Sequence, residues 1–186
     1  YKIELSSGLP LALNIDDFIK LKKTCSFQIH NYFPPPSKPF VLNLASIDSQ
    51  ISSMSIRHVE TAMRWATQLD RNVYSFHAGF LIDPKVKELG KRIKKRKLLS
   101  RQEGLKIFIE NIHHLSNKAK KLGVELLIEN NVFSQNNYLQ FKTDPFLMST
   151  PEECLFIMEN TPDNVNLLVD VAHLKVSATT LKYEPK

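Results

Sequence analysis

Short apolar runs alternate along this chain with longer stretches of helical periodicity, the pattern of repeated βα units whose strands run parallel. Five units can be read, with strands over residues 2–6, 26–32, 72–78, 124–130 and 166–171. Between them, Leu105, Phe108, Ile109, Ile112, Leu115, Ala119 and Leu122 follow helical spacing, and Gly123 then stops that helix. Thr150, Pro151 and Glu153 supply an N-cap, a first-turn proline and a capping-box acid for a helix reaching about residue 160. Ile56, Val59, Met63, Ala66 and Leu69 form another apolar face, and Asp16 is expected to cap a shorter helix through Leu21. Pro34, Pro35 and Pro36 cannot occupy a central strand and belong to a loop after the second one. No internal boundary interrupts the pattern, so residues 1–186 read as one domain.

Strand parity separates the two parallel architectures. One parity is apolar throughout: Phe27 and Ile29, Tyr74 and Phe76, Leu126 and Ile128, Leu167 and Val169. The other is mixed, carrying Gln28 and His30, Ser75 and His77, Glu125 and Glu129, Asn166 and Asp170, with Leu127 and Leu168 between. A doubly wound sheet has helices on both faces and needs both parities apolar. A barrel turns one parity inward and places polar groups near its mouth, so the expected fold is a parallel (β/α) barrel. A complete barrel of this kind has eight strands and about 250 residues. The chain of 186 residues is therefore expected to supply part of one, about strands 2 to 6, as a truncated record of a longer protein.

Strands read this way end in His30, His77, Glu129 and Asp170, with His173 just beyond. C-terminal ends of barrel strands open on one face, so these residues should converge although they are distant in sequence. Imidazole nitrogens and carboxylate oxygens are ligand types for Zn²⁺, Mn²⁺, Co²⁺ or Mg²⁺, and a carboxylate between two histidines can bridge a pair of ions. Taken singly, a strand-end His is more often a hydrogen-bonded structural residue; the repetition on successive strands is what points to a metal site.

The segments IHNYF, NLAS, FHAGF, LLIENN and LLVDVAH resemble the strand signatures of the superfamily that includes xylose isomerase-like sugar isomerases and epimerases and endonuclease IV. The most specific pieces are His77-Ala78-Gly79, Glu129-Asn130, and Asp170 with His173 three residues on. The resemblance implies a divalent metal held by His30, His77, Glu129 and Asp170. In the endonuclease branch the residue matching Glu129 bridges two ions, and in the isomerase branch Glu129 and Asp170 help hold one ion while His173 contacts substrate. It also implies a His and a Glu from later strands. Glu129 is the expected catalytic carboxylate. The expected activity is proton transfer next to a carbonyl in a sugar or sugar phosphate, with phosphodiester cleavage of abasic DNA and a non-catalytic binding module as alternatives.

Other features carry weaker expectations. The net charge of +6 suits phosphate-bearing partners, but much of it lies in the KRIKKRK run at residues 91–97, which as a charge run is ordinarily a solvated face. The chain does not interleave Arg with aromatic residues as a DNA grip would, which makes nucleic acid the less favoured partner. Lys175 follows the Asp170 and His173 pair and is a candidate substrate contact, and Glu4 shares the inward parity of its strand. His58, His113 and His114 fall within helices and suit helix packing or the surface. Two widely spaced cysteines argue against a thiolate zinc site or a disulfide framework, and the absence of a long apolar run argues against a membrane span; a reducing cytoplasm is the expected setting.

Overall fold

In the computed structural model, which describes residues 1–6 and 14–184, the alternating pattern folds as five strands and six helices among the described residues. Strands β1 (Lys2–Leu5), β2 (Ser26–His30), β3 (Val73–His77), β4 (Glu125–Glu129) and β5 (Val165–Leu168) lie in the order β1-β2-β3-β4-β5, every neighbouring pair parallel. A doubly wound sheet reverses its strand order at a switch point; this sheet does not, and it forms part of a (β/α) barrel wall.

The register carries the two parities across the sheet. Ile29 lies beside Tyr74, Phe76 beside Ile128, and Ile128 beside Leu167, while His77 lies beside Glu129. Phe27, Ile29, Tyr74, Phe76, Leu126 and Ile128 are all at most 3% exposed. They pack with Val59, Ala62, Met63 and Ala66 of α2 (Ser49–Gln68) and with Phe108, Ile112, Leu115 and Ala119 of α3 (Arg101–Leu122). Full burial of each large apolar side chain contributes on the order of 1.5–3 kcal/mol, so this layer dominates the stability of the sheet. Val169 departs from the expected pattern: β5 stops at Leu168, and Val169 is 49% exposed beyond the end of the strand.

Helix ends follow local chemistry. Asp48 Oδ1 accepts from Gln50 N and Ile51 N, which starts α2 well before its apolar face begins. Ser100 caps α3, and Gly123, at φ 66°, closes it. Thr150 caps α5 (Pro151–Glu159). The expected Asp16 cap is corrected to Asn14: its side chain accepts from Asp17 N, and the Asp17 carboxylate accepts from Asn14 N, leaving Asp16 in the first turn of α1 (Ile15–Leu21). Two helices lay outside the sequence reading, α4 (Gln135–Phe141) and α6 (Val171–Leu181). The amide-rich sequence of α4 lacks an apolar stripe, and α6 begins where a strand extension was expected.

Gly79 is required by a close approach. A Cβ there would lie 2.8 Å from Ala45 Cβ, 3.2 Å from Ala45 N and 3.2 Å from Asn43 Oδ1. Asn43 cannot retreat, because its side chain accepts from Ala45 N and Phe80 N and donates to Phe80 O, Ile82 O and Asp83 Oδ1. Gly79→Ala is therefore expected to destabilise the protein by about 1–3 kcal/mol. Urea unfolding measures it, and a variant as stable as the parent would show that the 43–45 loop yields freely.

Candidate metal centre

The strands aim the mixed parity at one concave face, and the ends of β2, β3 and β4 place His30, His77 and Glu129 together. Glu129 Oε2 lies 3.3 Å from His30 Nε2 and 3.6 Å from His77 Nδ1, while Oε1 lies 3.3 Å from His173 Nδ1. Asp170 Oδ2 is 3.8 Å from His173 Nε2. Ligand atoms of His30, His77 and Glu129 all fall within 4.8 Å of one another, and so do those of Glu129, Asp170 and His173. Glu129 belongs to both groups.

Asp170 is not the last residue of a strand as expected. It is the N-cap of α6, its Oδ1 accepting from His173 N at 2.9 Å. This places His173 on the first turn of α6, with its ring over Glu129. The same turn moves Lys175 away. Lys175 is exposed and lines a separate surface depression with Lys182 and Tyr183, apart from both cavities that His173 borders. Glu4 does line the 400 Å³ cavity that holds His30, His77, Glu129, Asp170 and His173. The remaining histidines are structural: buried His58 bonds Asn31 O through Nε2 at 2.9 Å, His113 bonds Asn160 O, and His114 lies beside Glu60.

The electrostatics show which kind of ligand this cluster suits. Burial, followed by the charges of Asp170 and Glu4, pushes the Glu129 carboxyl up to about 7. Burial, with His30 and His173 alongside, pushes His77 down to about 3, and burial also lowers His30. The close contacts of His30 and His77 with Glu129 are therefore contacts of neutral imidazoles, and proximity alone does not make them ion pairs. The bond from His173 N holds the Asp170 carboxyl below its usual range. His77 Nδ1 is buried without a hydrogen-bond partner. Uncharged imidazoles, an orphaned ring nitrogen and a carboxylate that resists ionisation are what a divalent cation among these atoms would relieve, and the donor set fits one.

Of the residues that orient the cluster, Asn130 and Asn131 fall in the LLIENN segment that resembles the family, while Ser75 carried no distinct signal of its own. Ser75 Oγ lies 3.0 Å from His30 Nδ1, leaving Nε2 towards Glu129. Asn130 Oδ1 accepts from Asp170 N at 2.7 Å, Asn130 Nδ2 donates to Asp170 O, and Asn130 O lies 3.0 Å from His173 Nδ1. Asn131 Nδ2 donates to Ala78 O, Gly79 O and Leu147 O, tying the ends of β3 and β4 to the loop before α5. Only the repeated asparagine after Glu129 could have hinted at such roles.

A parallel (β/α) barrel wall with histidines and carboxylates gathered at its C-terminal strand ends defines a class of barrel proteins built around a metal-type cluster. Within that class, the chain belongs to the xylose isomerase-like TIM barrel family, whose sequence model matches residues 10–180. Among solved structures, a D-tagatose 3-epimerase-like protein matches with a TM-score of 0.65 at 19% identity, over 92% of this chain and 56% of that one. An AP endonuclease, family 2, from Brucella melitensis matches with a TM-score of 0.63 at 16% identity, over 94% and 58%. The IOLI protein, solved with a binding zinc atom, matches with a TM-score of 0.63 at 15% identity, over 88% and 48%. The chain thus spans about half the length of these structures. No curated protein sequence matches it. Among the described residues, no helix is long and apolar enough to cross a membrane.

Proposed function

We propose that the protein is a divalent-metal-dependent sugar or sugar-phosphate isomerase or epimerase that moves a proton on carbon next to a carbonyl. The observation that carries this is the convergence of His30, His77, Glu129, Asp170 and His173 on one cavity, with an orphaned imidazole nitrogen at its wall. Family membership and the epimerase among the similar structures support the sugar reading. His30, His77, Glu129 and Asp170 would hold Zn²⁺, Mn²⁺, Co²⁺ or Mg²⁺. When bound, the ion polarises a substrate carbonyl and its neighbouring hydroxyl. Glu129 is the carboxylate assigned to take and return the proton at that carbon. His173, fixed by Asn130 and the Asp170 cap, would orient a substrate hydroxyl. Lys175 has no part in this reading because it lies apart from the cavity.

The test is deuterium uptake from D₂O into ketoses and ketose phosphates, followed by NMR with each of the four metals. Exchange at the carbon beside the carbonyl, lost in Glu129→Gln, is the expected result. A second reading, metal-dependent cleavage of abasic DNA, is favoured by one feature: Glu129 is shared between two potential ligand groups, as a bridge between two ions would be. Cleavage of an abasic duplex without sugar exchange would replace the first reading by the second. Metal binding without either turnover would leave a binding module.

A further inference from the structure

We infer that the cavity on the other side of His77 and His173 receives the phosphate end of a small sugar phosphate, and that Lys91 is the residue that holds it. This rests on the sugar reading above and names its substrate class. The cavity has a volume of 450 Å³ and is bordered by His77 and His173, which also border the metal-type cluster, so a ligand lying in it touches two side chains of that cluster. That size encloses one sugar-sized molecule and not a duplex.

Most of the basic run at 91–97 is exposed, as its composition implies, but Lys91 and Ile93 border this cavity and the run is held against the fold. Ile93 is only 4% exposed and packs with Ile82, Phe133, Phe141 and Phe146. Its N–H donates to Asn137 Oδ1 at 2.9 Å, and the Arg92 guanidinium donates to Gln140 Oε1, so the run is tied to α4 at successive residues. A third tie is Glu88, whose carboxylate accepts from Lys85 N, Lys94 N and the Arg96 guanidinium. Glu88 borders the cavity, but Arg96 neutralises it at 2.5 Å. Arg92 and Arg96 thus serve the loop itself. Lys91 is left as the cation among the bordering residues, with Lys94, Lys95 and Lys97 exposed nearby to raise the local positive potential.

The rest of the lining suits the body of a sugar phosphate. Phe80 and Phe146 offer apolar faces, and Asn31 and Asn136 offer amides. A phosphate monoester carries close to two negative charges at neutral pH and gains more from this potential than a neutral polyol does. One charge-assisted contact of this kind is worth on the order of tenfold in affinity.

Calorimetric titration of the Zn²⁺-loaded protein with D-ribulose 5-phosphate and with D-ribulose tests the inference. The phosphate ester is expected to bind at least about tenfold more tightly. Lys91→Gln should bring its affinity down to that of D-ribulose in the same variant, and Lys91→Arg should keep most of the preference. Unfolding in urea, matched between Lys91→Gln and the parent, shows that the loop is intact. Equal affinity for the two compounds in the parent, or an undiminished preference in Lys91→Gln, overturns this inference alone. Failure of both compounds to bind a protein that holds Zn²⁺ overturns it together with the sugar reading.

Discussion

Glu129→Gln is expected to weaken divalent-metal binding by at least about a hundredfold, because it removes the one carboxylate shared by both potential ligand groups. The substitution keeps the volume of the side chain, so the packing of β4 between β3 and β5 should persist. What changes is charge: His30, His77 and His173 all face this carboxylate at 3.3–3.6 Å, and imidazole ligands bring no negative charge to balance a cation. Titration with Zn²⁺ and Mn²⁺ reads the affinity directly, and the rise in melting temperature with added metal reads it a second way, since a ligand that binds the folded state stabilises it by mass action. Glu129→Gln protein that is folded and binds Zn²⁺ as tightly as the parent would falsify the assignment of Glu129 as the centre. Ser75→Ala, which frees the far nitrogen of His30 without touching the shared carboxylate, should show a smaller loss, about tenfold.

The same substitution should change the pH dependence of the metal-free protein in the opposite sense. The Glu129 carboxyl ionises near 7 in the folded chain against an ordinary value of 4.5. A raised carboxyl contributes stability that is fully present below 4.5 and is lost as pH rises through about 7. His30 and His77 work the other way. Their lowered values contribute stability that is present above 6.5 and lost as pH falls. The histidines are common to parent and variant, so to first order they cancel in the comparison. In EDTA, Glu129→Gln should therefore gain on the parent by roughly 2–3 kcal/mol between pH 5 and pH 8. Urea unfolding at the two pH values measures this gain, and a constant difference would show that Glu129 ionises freely without a metal. Together with the first prediction, the expected outcome is a residue that costs stability when the site is bare and is indispensable when it is loaded.

Much of the site's membership was legible in the chain because strand parity and strand ends are local properties. His30, His77 and Glu129 could be found without a structure, since each follows an apolar alternation that ends where a barrel strand must end. Ser75 was on the same parity, yet nothing in its own segment shows that it backs His30 on the neighbouring strand. Asn130 stands in the Glu129-Asn130 piece of the resemblance, but its role is not visible there, because its partners, Asp170 and His173, stand forty and more residues away and meet it only after β4 and β5 pair.

The parallel βα order, the apolar layer under the helices and the identity of the clustered histidines and acids were readable along the chain, because each depends on side-chain periodicity within one element. Which groups share a cavity depends on how those elements pack. Lys175 shows the difference: read as an extension of the last strand, it follows His173 into the site, but the chain turns helical at Val171. Residues two apart on a helix point to nearly opposite sides, so His173 faces Glu129 and Lys175 faces away. Lys91 shows the converse. Its run of charges is largely exposed, as its composition implies, and only the burial of Ile93 against α4 and the capture of Arg96 by Glu88 set Lys91 at the border of a cavity that His77 also lines.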